Sequence, residues 1–144
     1  MAKVAVVYWS GTGNTQKMAE AVVEGAKGAG AEVECFEVDS FSVDQIDGFD
    51  GLALGCPSMG AEELEEGSYE PFFAAAVDSG KLSGKPVVLF GSWGWGAGAW
   101  METWSERTKE AGANLVDTFI VENEPDDEGL EGSKKLGAAI AGAC

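Results

Sequence analysis

VVYWSGTGNTQKMAEAVVEGA, residues 6–26, passes from apolar to glycine- and hydroxyl-rich to helical within about twenty positions. The apolar run that leads into it, Lys3–Trp9, is rich in Val, Ala and Tyr, as a strand buried on both faces is. From Thr15 onward, Met18, Val22 and Ala26 recur every four residues beside Ala19 and Val23, which predicts a helix with one apolar face. Gly28-Ala29-Gly30 ends that helix. Between the two lies Ser10-Gly11-Thr12-Gly13-Asn14-Thr15, a strand-to-helix loop without a lysine or arginine.

The same alternation continues down the chain. Strands are expected at Glu32–Val38, Gly51–Leu54, Pro86–Phe90 and Leu115–Val121. Helices are expected at Pro71–Val77, Trp100–Ala111 and Leu130–Ala141, and DSFSVDQIDGFD before the third strand reads as turns. Strand and helix in turn, with right-handed crossovers, predict an α/β fold: a doubly wound parallel sheet. The 144 residues fit a single domain, 1–144, with no repeat or linker.

Nine basic residues against 25 acidic ones give a net charge of −16. Such a chain lacks the basic footprint that nucleic acid and anionic membranes require, and it favours basic partners. No apolar run is long enough to span a bilayer. Met1-Ala2-Lys3 leads into the first strand without a signal-peptide pattern, so a cytoplasmic location is expected. Cys35, Cys56 and Cys144 have no metal-binding or disulfide spacing, and histidine is absent. A metal site is therefore not expected.

In open α/β sheets, ligands bind beyond the carboxyl ends of the strands, where strand order reverses. Four loops lie there: Ser10–Thr15, Cys56–Tyr69, Gly91–Ala99 and Glu122–Glu128. In the first, backbone N–H groups meet a helix N-terminus, a place that attracts phosphate without a basic side chain. Ser10, Thr12, Asn14 and Thr15 add polar side chains, and Gly11 and Gly13 allow a tight fold; an ordinary turn is the plainer reading. The P-loop pattern fails for want of its lysine, and the dinucleotide fingerprint fails at Gln16. A monophosphate suits the loop better.

GSWGWGAGAW, residues 91–100, offers aromatic rings for a planar ligand; Trp95 reads as a stacking wall and Trp100 as core. In CPSMGAEELEEGSY, residues 56–69, Met59 is a polarisable contact, Gly60 permits a peptide to reorient, and Cys56 reads as a small buried hydrophobe. Glu62, Glu63, Glu65 and Glu66 read as a solvated acidic run. ENEPDDE, residues 122–128, adds five carboxylates to the same rim.

Val6-Val7-Tyr8 with Ser10, Gly13, Thr15, Ala19 and Val22 resembles the flavodoxin signature. GCPSMGAEELEE, LFGSWGWGAGAWM and NEPD resemble the other flavin loops of short-chain flavodoxins from anaerobic bacteria. The resemblance spans essentially the whole chain, and the uninterrupted Leu115–Val121 strand suits the short-chain branch. It implies a five-stranded sheet in the order 2-1-3-4-5 with FMN at the switch point. It implies that Ser10, Gly11, Thr12, Gly13, Asn14 and Thr15 hold the phosphate, that Trp95 covers one face of the isoalloxazine ring, and that Met59 covers the other. Glu62 is then expected at the ring N3–H, with the backbone of Gly94 and Trp95 near the pyrimidine oxygens. The Gly60–Ala61 peptide is expected to turn its carbonyl to N5, and Pro57, Ser58, Ser92, Trp93 and Gly96 to complete the site. Trp93 stands where tyrosine is usual, and Ala61 where aspartate or serine often follows the glycine.

The implied role is a low-potential one-electron carrier, not an enzyme, that passes between the semiquinone and hydroquinone of FMN. It is expected to be a monomer meeting basic redox proteins transiently. An FMN-dependent quinone or nicotinamide reductase is the rival, but no spare segment offers a substrate pocket. A phosphoacceptor receiver domain wants an aspartate ending the third strand, where Leu54-Gly55-Cys56 stands.

Overall fold

The computed structural model describes residues 2–11, 13–58, 64–94 and 98–144. Its strands and α-helices alternate except between the second and third strands: β1 Lys3–Tyr8, α1 Asn14–Gly28, β2 Glu32–Glu37, β3 Gly51–Gly55, α2 Tyr69–Ser79, β4 Pro86–Trp93, α3 Ala99–Glu110, β5 Asn114–Glu122 and α4 Asp127–Ala143. All neighbouring strands are parallel, and the sheet order is β2-β1-β3-β4-β5. This is the expected doubly wound sheet.

Period two along the strands divides the core. Val4, Val6 and Tyr8 face one side with Ala53, Val88 and Phe90, and meet Met18, Ala19 and Val22 of α1 and Leu136 and Ile140 of α4. Ala5 and Val7 face the other with Leu52, Leu54, Val87 and Leu89, under Tyr69, Phe72 and Phe73 of α2 and Trp100 and Trp104 of α3. The central strands are buried on both faces, which is why their sequences are continuously apolar. Trp100 belongs to this core, as expected.

Two segments differ from the sequence reading. Residues 38–50, read as a strand end followed by turns, contain two 3-10 helices, Val38–Ser40 and Val43–Gly48, the second with a Ser42–Gln45 capping box. They bury Val38, Phe41, Ile46 and Phe49 under α2, and Lys85 Nζ donates to the Phe49 carbonyl at 2.6 Å. Strand β4 also runs three residues past Phe90, because Gly91, Ser92 and Trp93 pair with Ile120, Val121 and Glu122 of the long β5. Ser92 and Trp93 therefore sit on a strand end rather than in a loop. Among the described residues no helix is long and apolar enough to cross a membrane.

Candidate functional site

The connection from β1 to β2 runs one way across the sheet, and the return to β3 crosses back over β1. The reversal parts the chain beyond the carboxyl ends of β1 and β3, and a cleft of about 250 Å³ opens there. Trp9, Gly11, Asn14, Pro57, Ser58, Ser92, Trp93, Gly94 and Asn123 line it. Among the described residues of that lining there is no lysine or arginine. The cation one turn further along α1, Lys17, is engaged by Glu124 at 2.8 Å.

Helix α1 begins where it does because Gly13 takes φ 94° and ψ −8°, a left-handed conformation that costs glycine little. Amides of a first turn have no acceptor within their own helix. Ser10 Oγ accepts from two N–H groups here, Gly13 at 3.0 Å and Gln16 at 3.3 Å. Helices α2, α3 and α4 each carry a carboxylate in the first turn, Glu70, Glu102 and the pair Asp127 and Glu128. Helix α1 carries none. In so acidic a chain, its positive end alone is left for an outside anion.

Hydrogen bonds tie the loops together behind the cleft. Thr15 Oγ1 lies 3.1 Å from Ser92 Oγ, both buried. Ser58 N–H donates to the Ser92 carbonyl at 3.0 Å, and Asn123 N–H donates to the Trp93 carbonyl at 2.7 Å. Asn123 itself takes φ 58°, a conformation that asparagine tolerates better than most residues. The Trp9 indole lies against Gly11: a Cβ there would be 3.0 Å from its Cη2.

The start of the second loop is held from below. Trp100 Nε1 donates to the Cys56 carbonyl at 3.2 Å. The Cys56 thiol is fully buried and accepts from Glu65 N–H at 3.4 Å; burial pushes its pKa up to about 12, so it is inert. Glu65 is not part of a solvated run. Its carboxylate accepts from Gly67 N–H at 2.7 Å, Ser68 N–H at 2.8 Å and Tyr69 N–H at 3.0 Å, and so caps α2. The 122–128 rim is likewise partly spent: Asp126 caps α4 through Gly129 N–H, and the hydrogen bond from Lys17 lowers the Glu124 carboxyl pKa.

Of the residues expected at the site, Gly11, Asn14, Pro57, Ser58, Ser92, Trp93 and Gly94 line the cleft, and Ser10, Gly13 and Thr15 stand at the helix terminus beside it. Thr12, Met59, Gly60, Ala61, Glu62, Trp95 and Gly96 lie outside the described residues. Sequence reasoning missed two lining residues, Trp9 and Asn123. Trp9 follows Ala5 and Val7 on one pleat face and so clears the helices at the strand end. Asn123 was hidden among carboxylates.

The class that fold and site define is an open, doubly wound α/β domain with a cleft at its switch point, where such folds bind their ligands. The family model for flavodoxin matches residues 6–137. The chain is 47% identical over 140 residues to the flavodoxin of Megasphaera elsdenii, covering 97% of this chain and 99% of that one. It is 46% identical over 135 residues to the flavodoxin of Clostridium beijerinckii, covering 91% and 96%. The solution structure of two-electron reduced Megasphaera elsdenii flavodoxin superposes with a TM-score of 0.89 over 96% of this chain and 98% of that one. The chain belongs to the flavodoxin family. It is thus an FMN-binding electron carrier that serves redox partners, and not an enzyme.

Proposed function

We propose that residues 10–15 hold the FMN phosphate, that Pro57, Ser58, Met59, Gly60, Ala61 and Glu62 border one side of the flavin, and that Ser92, Trp93, Gly94, Trp95 and Gly96 border the other. The observation that carries this reading is the N-terminus of α1, free of carboxylates in a chain with 25 acidic residues. The donors fit the ligand. Main-chain N–H groups and hydroxyls suit a phosphate that must be held by several short hydrogen bonds. The indoles of Trp9 and Trp93 suit a planar ring.

When bound, FMN supplies reversible uptake of electrons one at a time. The chain orients the flavin, shields it and sets the energy of that uptake. Added negative charge meets no lysine or arginine among the described residues of the cleft lining. Two unit charges ~10 Å apart interact by roughly 0.4–1.7 kcal/mol for effective dielectrics between ~80 and ~20. Since about 1.4 kcal/mol corresponds to ~59 mV for one electron, each nearby carboxylate lowers the last potential by tens of millivolts. We infer a low-potential carrier, a monomeric single domain whose acidic surface steers basic partners into brief encounters.

Potentiometric titration of the FMN-loaded protein at low and high salt tests this. The expected result is two separate one-electron steps, the second well below that of free FMN and rising by tens of millivolts as salt screens the carboxylates. A single two-electron step, or a potential indifferent to salt, contradicts it.

A further inference from the structure

Thr15, Ser92, Thr108 and Ser133 are the buried serine and threonine side chains among the described residues. Two of them satisfy their protons within their own helices. Thr108 Oγ1 donates to the Trp104 carbonyl at 2.8 Å, and Ser133 Oγ donates to the Gly129 carbonyl at 2.9 Å. Thr15 and Ser92 instead face each other at 3.1 Å, across 77 positions of sequence, and either can be the donor. Each is at least nine-tenths buried: Thr15 is 1% and Ser92 5% exposed.

A hydroxyl brings one proton and two lone pairs. The pair therefore brings two protons, and the bond between them consumes one. The other has no acceptor among the hydrogen bonds of the described residues, and a buried donor left unsatisfied is costly.

We propose that Ser92 is a positioning residue for phosphate recognition that acts through Thr15. Ser92 donates to Thr15 Oγ1, and this turns the Thr15 proton outward to the anion at the start of α1. The opposite direction would present a Thr15 lone pair to the anion and leave the Ser92 proton unused. An anion selects the first arrangement. Ser92 is well placed for this, because the main chain of Ser92–Trp93 also accepts from Ser58 and Asn123. The end of β4 thus joins the loop after β1 through a side chain, and the loops after β3 and β5 through carbonyls. The strand that borders the flavin ring thereby helps to distinguish FMN from riboflavin, its phosphate-free form.

This rests on the phosphate reading above, and the test separates the two. Apoprotein is titrated with FMN and with riboflavin, following the quenching of flavin fluorescence, for the parent chain, Ser92→Ala, Thr15→Val and the double variant. Ser92→Ala is expected to lower FMN affinity roughly fivefold, as loss of the neutral hydrogen bond that orients Thr15 Oγ1 would, and to change riboflavin affinity by about twofold or less. The double variant is expected to bind FMN no more weakly than Thr15→Val. Equal weakening of both ligands by Ser92→Ala, no weakening of either, or additive losses in the double variant would overturn the relay. If Thr15→Val also leaves the FMN-to-riboflavin ratio unchanged, the phosphate reading itself fails. Should alanine at 92 prevent folding, Ser92→Cys keeps the shape with a weaker donor and is judged by the same ratio.

Discussion

Where α1 crosses α4, main chain meets main chain; where α2 and α3 cover the opposite face of the sheet, aromatic side chains reach across to it. A Cβ on Gly137 would strike the Val22 carbonyl, and one on Gly25 would strike the Lys134 carbonyl. Across the sheet, Tyr69 OH donates to the Val7 carbonyl at 2.7 Å, Trp100 Nε1 reaches Cys56, and Tyr69, Phe73 and Trp104 meet edge to face. The first face carries the helix whose N-terminus we propose for the phosphate, a group of fixed shape, and backbone contact sets that helix rigidly. The second carries the loops proposed to border the flavin ring, and there longer side chains do the positioning.

The sharpest way to break this contrast is to force the backbone contact apart. Gly137→Ala introduces a methyl group that main-chain atoms cannot avoid. Overpacking of this kind costs about 3 kcal/mol, and the better helix propensity of alanine returns about 1 kcal/mol. The expected net loss of ~2 kcal/mol lowers the melting temperature by roughly 7 °C. Gly142, on the same helix, has nothing within 4 Å of such a methyl group. Gly142→Ala should leave the melting temperature unchanged or slightly raised, and equal losses at both positions would show that the close crossing is not what matters.

On the aromatic face, Trp100→Phe keeps most of the ring but leaves the buried Cys56 carbonyl without its indole donor. The expected cost is about 1–2 kcal/mol of stability. Because the change acts on the loop beside the flavin ring, FMN and riboflavin affinities should fall by the same factor in fluorescence titration. A loss confined to FMN would erase the distinction between the two ends of the cleft.

Much of this division could be read from residue order. The continuous apolar run of β1 announced a strand buried on both sides, and Ser10–Thr15 announced a helix terminus suited to an anion. What escaped depends on distant pairing. Gly91 disfavours a strand and Ser92 has no strong strand preference of its own, yet both extend β4 because β5 is long enough to pair with them. Glu65 resembles its acidic neighbours in sequence, yet it caps α2 because the chain turns at Gly67 and brings three amides to it. Ile46 and Phe49 sit in a turn-rich stretch whose helical turns are stabilised by burial under α2. Trp9 could have been found by carrying the pleat of Ala5 and Val7 one step further.

The smallest expected effect concerns the ion pair that, among the described residues, links α1 to the fourth loop. Lys17 Nζ donates to Glu124 Oε1 at 2.8 Å, both side chains are exposed, and the bond lowers the Glu124 carboxyl pKa below its ordinary 4.5. A carboxyl whose pKa is lower folded than unfolded adds stability above its unfolded value and loses it as pH falls through its folded one. In apoprotein at low salt, Lys17→Met should therefore melt slightly below the parent at pH 7. The gap should close once the pH has dropped well below ~4, where both folded and unfolded carboxyls are protonated. High salt at pH 7 should shrink it too, as for any exposed pair. If the difference in melting temperature persisted at pH 3, the lysine would be acting through the packing of its alkyl stem on α1. The rigidity of the phosphate end would then owe nothing to charge.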